Sequence, residues 1–462
     1  MNNVMLTLAA AATALNATWR GDGAVAFLRV TTDSRDIQPG DLFVALKGER
    51  FDGHDFVADV LSRGAAMAMV ETGHACLTAL PETAPLLLVD DTLAGLGRLA
   101  AHWRRQFELP VVAVTGSSGK TTVKEMLATV LRLKAGHDAV LATTGNLNNH
   151  IGVPLMLLRL CAQHRYAVIE MGMNHFGEIA YLSGLAAPTV ALVNNAGTAH
   201  IEFLGSPAGI AQAKGEIFDS LADSGTAVIN LDDEFAGYWQ SLNKSRVRLG
   251  FGLLQGEIQA REVEMQPLSS RFTLHTPTGE APVHLPTPGL HNVRNALAVA
   301  AAAHALGLSC GEIAAGLAAF AGAKGRLQQK RAANGALLID DSYNANPSSI
   351  QAAIDVLAAL PAPRYLVLGD TGEIDDVVKR HAELGSYAKA KGLETLYATG
   401  QGMRHAVAAF GDGGAWFESH AELLAALKPR VTADTVVLVK GSRFMRMEQI
   451  VEALTSAESK GA

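Results

Sequence analysis

The chain has little of several features that mark particular classes of protein. Its 462 residues include only three cysteines, Cys76, Cys161 and Cys310, which lie far apart and show no metal-binding spacing. A disulfide scaffold and a Cys/His metal site are therefore excluded, and we expect buried thiols in a reducing compartment. No apolar run approaches the roughly 20 residues that a membrane span requires. The formal net charge of -7 argues against a broad nucleic-acid-binding surface, so local Lys, Arg and backbone N–H groups must hold any anionic ligand.

The composition is that of a large globular protein. Hydrophobic residues make up 49% of the chain and charged residues 18%, which excludes a disordered chain. The length predicts roughly two to four domains, and the 45 glycines suit the tight strand-to-helix turns of an α/β fold. Residues 4–15 are apolar, but Arg20 is the first basic residue. We therefore expect a short Ala-rich helix there rather than a signal-peptide core, and a cytoplasmic protein.

The strongest local signal lies at residues 111–122, where four apolar residues run into a glycine-rich turn. The two glycines let the backbone turn tightly and present N–H groups to a polyphosphate, while the lysine and threonines that follow offer a positive charge and a hydroxyl for Mg²⁺. Apolar residues then recur at helical spacing, so the loop opens onto a helix N-terminus. The loop is shorter than the general P-loop pattern, because Val114 stands where that pattern has its first glycine. The sequence predicts a nucleotide-phosphate site formed by Thr115, Gly116, Ser117, Ser118, Gly119, Lys120, Thr121 and Thr122.

Alternating apolar strands and helical stretches divide the chain into three predicted α/β units. Residues 1–86 form a small unit without a phosphate loop of its own. Residues 87–321 have the phosphate loop near their start and are predicted to form a central doubly wound sheet. In residues 322–462, several strands in succession each end in a polar or glycine turn. This pattern predicts a parallel, Rossmann-like sheet. This third unit has no complete G-x-G-x-x-G fingerprint, so a second dinucleotide site is not expected.

Two polar residues follow predicted strands of the central unit. Glu170 ends the strand at 166–169, and His200 follows the strand at 189–193. Ligands of doubly wound sheets bind outside the carboxyl ends of strands, so the pair suits Mg²⁺ ligation and its support. Alone, a carboxylate at a strand end is more often solvated, and a loop histidine is more often a surface residue.

Two helical stretches also carry candidate residues. Lys214 lies in an amphipathic stretch at 211–218, where periodicity alone predicts a solvated helix charge. Asn292 and Asn295 are three residues apart and share a face at the start of a later helix. They either cap that helix or contact a ligand lying against its end.

Several motifs in combination resemble one known family. They are the phosphate loop, Glu170, His200, Ala213-Lys214, His291-Asn292-x-x-Asn295 and Lys324-Gly-Arg326. This combination closely resembles the Mur ligases of peptidoglycan synthesis, and the resemblance extends from about residue 31 to residue 452. The similarity is greatest to the family member that adds D-alanyl-D-alanine, and the segments that carry it are 42–54, 145–149, 340–346 and 440–443.

The resemblance implies ATP-driven amide formation. In this chemistry the γ-phosphate of ATP, with Mg²⁺, activates the C-terminal carboxylate of UDP-N-acetylmuramoyl-tripeptide as an acyl phosphate, which the amine of D-alanyl-D-alanine attacks. The resemblance implies a catalytic role for Lys120, Glu170, His200 and Lys214, and metal ligation by Thr121, Glu170, His200 and Lys214, the last as a carbamate made with CO₂. It assigns the nucleotide, besides the loop, to Asn292, Asn295, Arg326 and Asp341. It assigns the peptide substrates to Ser34, Arg35, Thr143, Thr144, Asn146, Asn344, Asn346 and Lys440.

Four alternatives stay open at this stage. A diaminopimelate- or lysine-adding Mur ligase has a similar amino-terminal unit. A folylpolyglutamate synthetase-like ligase shares the phosphate loop but lacks the unit that residues 31–54 resemble. A plain P-loop ATPase or kinase would leave the strand-end motifs of the third unit unexplained, and a non-catalytic nucleotide-binding module would leave the metal-site residues without a role. We expect a monomer with no nucleic-acid partner. The third peptide residue, diaminopimelate or lysine, is undetermined, as are the residues that hold D-alanyl-D-alanine.

Overall fold

The computed structural model describes residues 4–197, 204–372, 374 and 376–456. The protein is a mixed α/β structure whose sheets are largely parallel. It divides into two compact units: the first reaches Ile258 and includes Ala298–Leu308, and the second comprises Gln259–Leu297 and the chain from Ser309 onward. Short 3-10 helices lie at Gly53–Phe56, Ala75–Thr78, His137–Ala139, Glu216–Phe218, Lys428–Arg430 and Arg443–Met445.

The amino-terminal part of the first unit is a small sheet with helices. Its strands are β1 (Leu6–Thr7), β2 (Thr18–Arg20), β3 (Ala26–Phe27), β4 (Arg29–Thr31), β5 (Asp41–Val44), β6 (Met67–Glu71) and β7 (Leu86–Val89), and its helices are α1 (Leu8–Leu15), α2 (Val57–Ser62) and α3 (Thr92–Arg104). The strand order is β2-β7-β6-β5-β4, parallel except between β2 and β7, and β1 pairs separately with β3. The short helix expected within residues 4–15 is confirmed as α1. The Thr7 side chain caps this helix by accepting a hydrogen bond from Ala10 N.

The rest of the first unit is a parallel sheet with the phosphate-loop strand at its centre. Its strands are β8 (Val111–Thr115), β9 (Val140–Ala142), β10 (Tyr166–Glu170), β11 (Val190–Val193), β12 (Thr226–Asn230) and β13 (Val247–Gly252), and its helices are α4 (Lys120–Ala135), α5 (Gly152–Leu157), α6 (Glu178–Ala186), α7 (Pro207–Gly215) and α8 (Ala236–Leu242). Adjacent strands run parallel in the order β9-β10-β8-β11-β12-β13. Chain order reverses beside β8, which lies between β10 and β11. Doubly wound sheets bind ligands at such a switch point.

The second unit begins with an antiparallel meander that the sequence reading missed. Its elements are β14 (Ile258–Met265), β15 (Ser270–Thr276), β16 (Gly279–Leu285) and α10 (Cys310–Ala318), together with the first half of α9 (Leu290–Ala305), whose second half belongs to the first unit. Buried and exposed residues alternate along β15, and Phe272 lies opposite Val283 of β16. Helix α10 begins at a capping box of Ser309 and Glu312 and covers this pair of strands. The alternation of apolar and polar residues along these strands was therefore a signal in the sequence that could have predicted the meander.

The remaining elements of the second unit form a Rossmann-like layer. The strands are β17 (Gln328–Arg331), β18 (Leu337–Asp341), β19 (Arg364–Gly369), β20 (Thr395–Thr399), β21 (Gly414–Phe417) and β22 (Val436–Lys440), and the helices are α11 (Pro347–Ala358), α12 (Val377–Ala390), α13 (Met403–Phe410), α14 (His420–Leu427) and α15 (Glu448–Thr455). The order is β17-β18-β22-β19-β20-β21, parallel except between β17 and β18. Leu338 and Ile339 belong to separate hydrophobic clusters, as expected when consecutive residues of a strand face opposite sides of a sheet. The predicted parallel sheet is confirmed, with one antiparallel edge strand.

Two expectations about surface and membrane can be compared with the structure. Among the residues described, no helix is both long and apolar enough to span a bilayer. Cys310 is buried, whereas Cys76 and Cys161 are half-buried. The expectation of three buried thiols is therefore correct only for Cys310.

Candidate active site

The predicted strand–loop–helix unit is confirmed. Strand β8 is buried along its whole length and ends at Thr115, and α4 begins at Lys120. Gly119 has a φ of 78°, a left-handed conformation that other residues adopt only at a cost, which explains the glycine at the end of the loop. The Lys120 side chain folds back, and its Nζ donates to the carbonyl oxygen of Gly116 at 2.6 Å.

Two asparagines after β11 hold the phosphate loop, and the sequence reading gave them no role. Asn195 Oδ1 accepts from Ser118 N at 2.9 Å, and its backbone oxygen accepts from Ser117 N at 3.0 Å. The side-chain amides of Asn194 and Asn195 both donate to Ser118 O, at 3.0 and 3.2 Å. The N–H groups of Ser117 and Ser118 thus point toward the β11 loop. The part of the loop whose geometry suits an anion is therefore the N-terminus of α4. The signal in the sequence was a pair of amides directly after a buried strand.

Glu170 ends β10 and has an unusual environment for a carboxylate. Its side chain is 2% exposed, and Oε1 accepts from Asn148 Nδ2 at 2.8 Å. Oε2 is buried and has no hydrogen-bond partner among the described residues. An unpaired buried carboxylate oxygen is costly, and a cation that prefers oxygen ligands would satisfy it. The donor chemistry therefore fits a divalent cation such as Mg²⁺.

Lys214 is buried near the end of α7, so the solvated charge that periodicity predicted is wrong. Its side chain is 2% exposed, because α7 packs its last turn into the unit. Helix α7 begins at the Ser206 cap and has Pro207 in its first turn. Burial lowers the pKa of the Lys214 amine well below its usual value, and the positive charge of Lys120 lowers that pKa further. A neutral amine at this position is a nucleophile.

Lys120 and Lys214 line one cavity of about 560 Å³ in the first unit. This volume lies within the range of small-molecule sites. Its remaining wall combines amide, imidazole, aromatic and acidic groups, from residues that include Asn148, Asn149, His150, Asn174, Phe176, Glu178 and Tyr181. A phosphate loop, a buried lysine and a wall of mixed polarity suit a ligand with a charged end and a larger polar body.

The half-buried carboxylate of Glu216 links the Lys214 segment to the wall of the cavity. Glu216 follows α7, and its two oxygens accept from Gly177 N at 2.8 Å and from Ala180 N at 3.3 Å at the start of α6. Burial raises the pKa of Glu216. This contact fixes the position of α6 relative to Lys214. The sequence reading did not identify Glu216, although it stands two residues from Lys214.

The predicted peptide-substrate residues of the first unit differ in exposure. Arg35 is exposed and pairs with Asp33 at 2.8 Å, and the backbone oxygen of Ser34 accepts from Arg63 at 2.7 Å. The remaining residues of this group are the exposed Thr144 and Asn146 and the buried Thr143. His200, predicted as a metal-site residue, lies outside the described residues.

Asp52, His54 and His74 cluster beside the amino-terminal sheet with a geometry that resembles a metal site. His54 Nε2 accepts from Glu71 N at 3.0 Å, which assigns the proton to Nδ1, and Nδ1 lies 2.6 Å from Asp52 Oδ1. His74 Nδ1 accepts from Cys76 N at 3.2 Å, and its ring stacks on that of His54. Each imidazole therefore uses its lone pair on a backbone N–H. The three side chains form a hydrogen-bonded cluster and not a metal site.

In the second unit, the predicted residues at the ends of β18 and β22 form an ion pair. Asp341 and Lys440 are in register, and Lys440 Nζ lies 2.7 Å from Asp341 Oδ2. Nζ also donates to the backbone oxygen of Asn344 at 2.9 Å, and Asp341 Oδ1 accepts from Leu327 N at 3.1 Å. Lys440 is buried. The pair therefore fixes the loop that follows β18 against the end of β22.

Neighbouring residues of the second unit support the same loop. The Arg326 guanidinium lies over the Tyr343 ring, 4.5 Å from its centroid, and the Arg443 guanidinium lies 5.9 Å from it. Asn346 caps α11 by accepting from Ser349 N at 2.8 Å, a local role that the sequence reading did not give it.

The two predicted helix-face asparagines are both buried. Asn292 Nδ2 donates to Pro288 O at 2.7 Å, and Asn295 Nδ2 donates to Asn292 Oδ1 at 3.3 Å. The structure thus shows them holding the turn before α9. Contact with a ligand stays a prediction.

The fold and the cavity are those expected of an α/β enzyme with a phosphate loop. Comparison with known families then matches the Mur ligase family catalytic domain to residues 27–104, the Mur ligase middle domain to 114–303 and the Mur ligase glutamate ligase domain to 325–443. The chain therefore belongs to the Mur ligase family, a family of ATP-dependent ligases.

Individual relatives are similar over nearly the whole chain. The UDP-N-acetylmuramoyl-tripeptide--D-alanyl-D-alanine ligase of Escherichia coli strain K12 is 44% identical over 430 residues, which cover 92% of this chain and 93% of that protein. A crystal structure of MurF from Acinetobacter baumannii superposes with a TM-score of 0.91 at 40% identity, covering 98% and 99% of the two chains. MurF from Thermotoga maritima in complex with ADP gives a TM-score of 0.77 at 29% identity, covering 92% and 97%.

Proposed function

We propose that this chain joins D-alanyl-D-alanine to UDP-N-acetylmuramoyl-tripeptide in the cytoplasm, with ATP as the source of energy. The observation that carries the proposal is one cavity lined by the phosphate-loop lysine Lys120 and the buried Lys214, in a chain similar throughout to the relative that bears this activity in its name. Membership of the family supports the use of ATP.

The reaction divides into two steps with balanced bonds. In the first, a carboxylate oxygen of the tripeptide attacks the γ-phosphorus, the bond from that phosphorus to the bridging oxygen breaks, and ADP leaves. In the second, the dipeptide amine attacks the carbonyl carbon, phosphate leaves with the original carboxylate oxygen, and the amine loses its proton. Lys120 and the N-terminus of α4 would neutralise charge on the transferred phosphoryl group.

Mg²⁺ fits the residues present in the first unit. The unpaired Oε2 of Glu170 and the hydroxyl of Thr121, at the second residue of α4, would hold it. When bound, the ion would supply positive charge that offsets the negative charge of the phosphates.

Lys214 would act as a carbamate. The neutral amine attacks CO₂, forms an N–C bond and releases one proton. The product is a carbamate, which carries a negative charge where the unmodified ammonium would carry a positive one. Burial and the neighbouring Lys120 both lower the pKa of the amine, which increases the fraction of the reactive neutral form. The anion would then favour the binding of the cation that Glu170 would hold.

Other roles stay predictions. The nucleotide roles of Asn292, Asn295, Arg326 and Asp341, the peptide-substrate roles, the division at residues 86/87 and 321/322, and a monomeric state rest on the family resemblance.

A substrate panel tests the proposed function. Phosphate release from ATP should require UDP-N-acetylmuramoyl-tripeptide and D-alanyl-D-alanine together, with one ADP formed per amide bond, because neither half-reaction is productive without its partner. The panel should include tripeptides ending in diaminopimelate and in lysine. Efficient turnover with a UDP-N-acetylmuramoyl-dipeptide and a free diamino acid would replace the proposal with the neighbouring family activity.

A further inference from the structure

Lys124 is a buried lysine to which the proposed reaction assigns no task. It lies on α4, one turn beyond Lys120, and its side chain is 1% exposed. Lysine is almost never fully buried unless its ammonium is paired. A fully buried lysine one turn from the phosphate loop therefore calls for an explanation that helix periodicity does not supply.

The contacts of Lys124 lead from the phosphate-loop helix to Glu170. Lys124 Nζ donates to the backbone oxygen of Thr143 at 2.6 Å and to Glu125 Oε1 at 2.6 Å. Thr143 N donates to Val168 O at 3.0 Å, which continues the β9–β10 ladder. Thr143 Oγ1 accepts from Glu170 N at 2.9 Å. Thr143 thus contacts Lys124 through its carbonyl oxygen and Glu170 N through its hydroxyl, while its own N–H is bonded to β10. These hydrogen bonds connect the Lys124 side chain to the Glu170 backbone.

We infer that Lys124 is a positioning residue, which acts through Thr143 to fix the Glu170 carboxylate relative to the phosphate loop. Magnesium demands near-ideal octahedral geometry at about 2.0–2.1 Å, so a small displacement of one carboxylate weakens its binding. Lys124 joins the helix that presents Lys120 and Thr121 to the strand end that presents Glu170. The same carbonyl contact fixes the start of the segment 143–146. The inference rests on the proposed function only in that Glu170 holds the cation.

A purely structural lysine makes a different prediction. Its loss would lower the melting temperature, while each folded molecule would bind Mg²⁺ and nucleotide as before. A positioning residue instead changes the Mg²⁺ dependence of the folded enzyme. The experiment therefore measures ADP affinity by calorimetry with and without Mg²⁺, which needs no peptide substrate.

The variants are Lys124→Met, Thr143→Val and the double variant, with Lys134→Met on the last turn of the same helix as the matched control. Mg²⁺ increases the affinity for ADP, and in Lys124→Met and Thr143→Val the Mg²⁺ concentration that gives half of this increase should be about tenfold higher than in the wild type. Changes to residues behind a metal ligand have effects of this size. Mg²⁺-free ADP affinity should change by less than about twofold, since the phosphate loop itself is intact. The control should match the wild type.

The double variant tests whether the two residues form one chain of contacts. Its Mg²⁺ requirement should be close to that of either single variant, whereas independent effects would multiply. Unchanged Mg²⁺ dependence in folded single variants, or multiplied effects in the double variant, would overturn the inference. If Lys124→Met does not fold, Thr143→Val decides alone, because it only replaces a hydroxyl with a methyl group of similar size. Failure of the proposed function would appear separately, as a wild-type enzyme that binds Mg²⁺ and ADP but does not use the tripeptide and dipeptide.

Discussion

Lys214→Arg is expected to lose activity by more than about a hundredfold, a larger effect than changes behind a metal ligand produce. Arginine keeps a positive charge and a similar length, but its guanidinium stays protonated and cannot form the carbamate. The substitution therefore separates the charge of the residue from its nucleophilicity. The measurement is phosphate release at saturating substrates, with Lys134→Arg as the control on an exposed lysine.

Lys214→Ala gives the complementary result. It should be equally inactive and should regain part of its activity with added formate or acetate, because a short carboxylate can occupy the vacated anion position. Near wild-type turnover in Lys214→Arg would mean that the carbamate has no role.

Stability provides a control for folding, and its sign follows from the lowered pKa. Because the pKa of Lys214 is lower in the folded chain than in the unfolded chain, the unfolded chain binds more protons between the two values. In CO₂-free buffer the stability of the wild type should therefore rise with pH across that window, up to the usual lysine pKa of about 10.4. Lys214→Met should remove this dependence and fold at least as stably as the wild type.

Glu170→Gln is the second substitution with a large expected effect. It keeps the acceptor for Asn148 Nδ2, but it replaces the unpaired Oε2 with an amide nitrogen that cannot ligate a cation. Turnover at a fixed low Mg²⁺ concentration should fall by more than about a hundredfold, since the proposed direct ligand is lost and not only a residue behind it. A Mg²⁺ titration of phosphate release measures the effect, and the exposed Glu108→Gln is the matched control.

Two outcomes of that titration separate the explanations. A shift of half-saturation to higher Mg²⁺ with partial recovery supports ligation by Glu170. An unchanged Mg²⁺ requirement with a lower melting temperature would mean that Glu170 serves only the packing of β10, and the metal role would be withdrawn.

The features that sequence could predict are those with local signals. The phosphate loop follows from adjacent residues, since a buried strand, two glycines and a helical period need no distant partner. The position of Glu170 follows from the rule that ligands bind beyond the carboxyl ends of parallel strands.

The features that sequence could not predict depend on residues far apart in the chain. Helical periodicity places Lys214 on a solvated face, and only the packing of α7 and α6 shows that it is buried. Lys124 is buried because Thr143, 19 residues later, offers it a carbonyl. The asparagine pair at Asn194 and Asn195 acquires a role only when β11 lies beside β8.

The transfer of one carboxylate oxygen to phosphate tests the central claim most directly. UDP-N-acetylmuramoyl-tripeptide labelled with heavy oxygen in its terminal carboxylate is incubated with the enzyme, ATP, Mg²⁺ and D-alanyl-D-alanine, and the products are analysed by mass spectrometry. An acyl phosphate places one labelled oxygen in each phosphate released and leaves one in the new amide. Phosphate without label, or ADP formed without the pentapeptide product, would contradict the account.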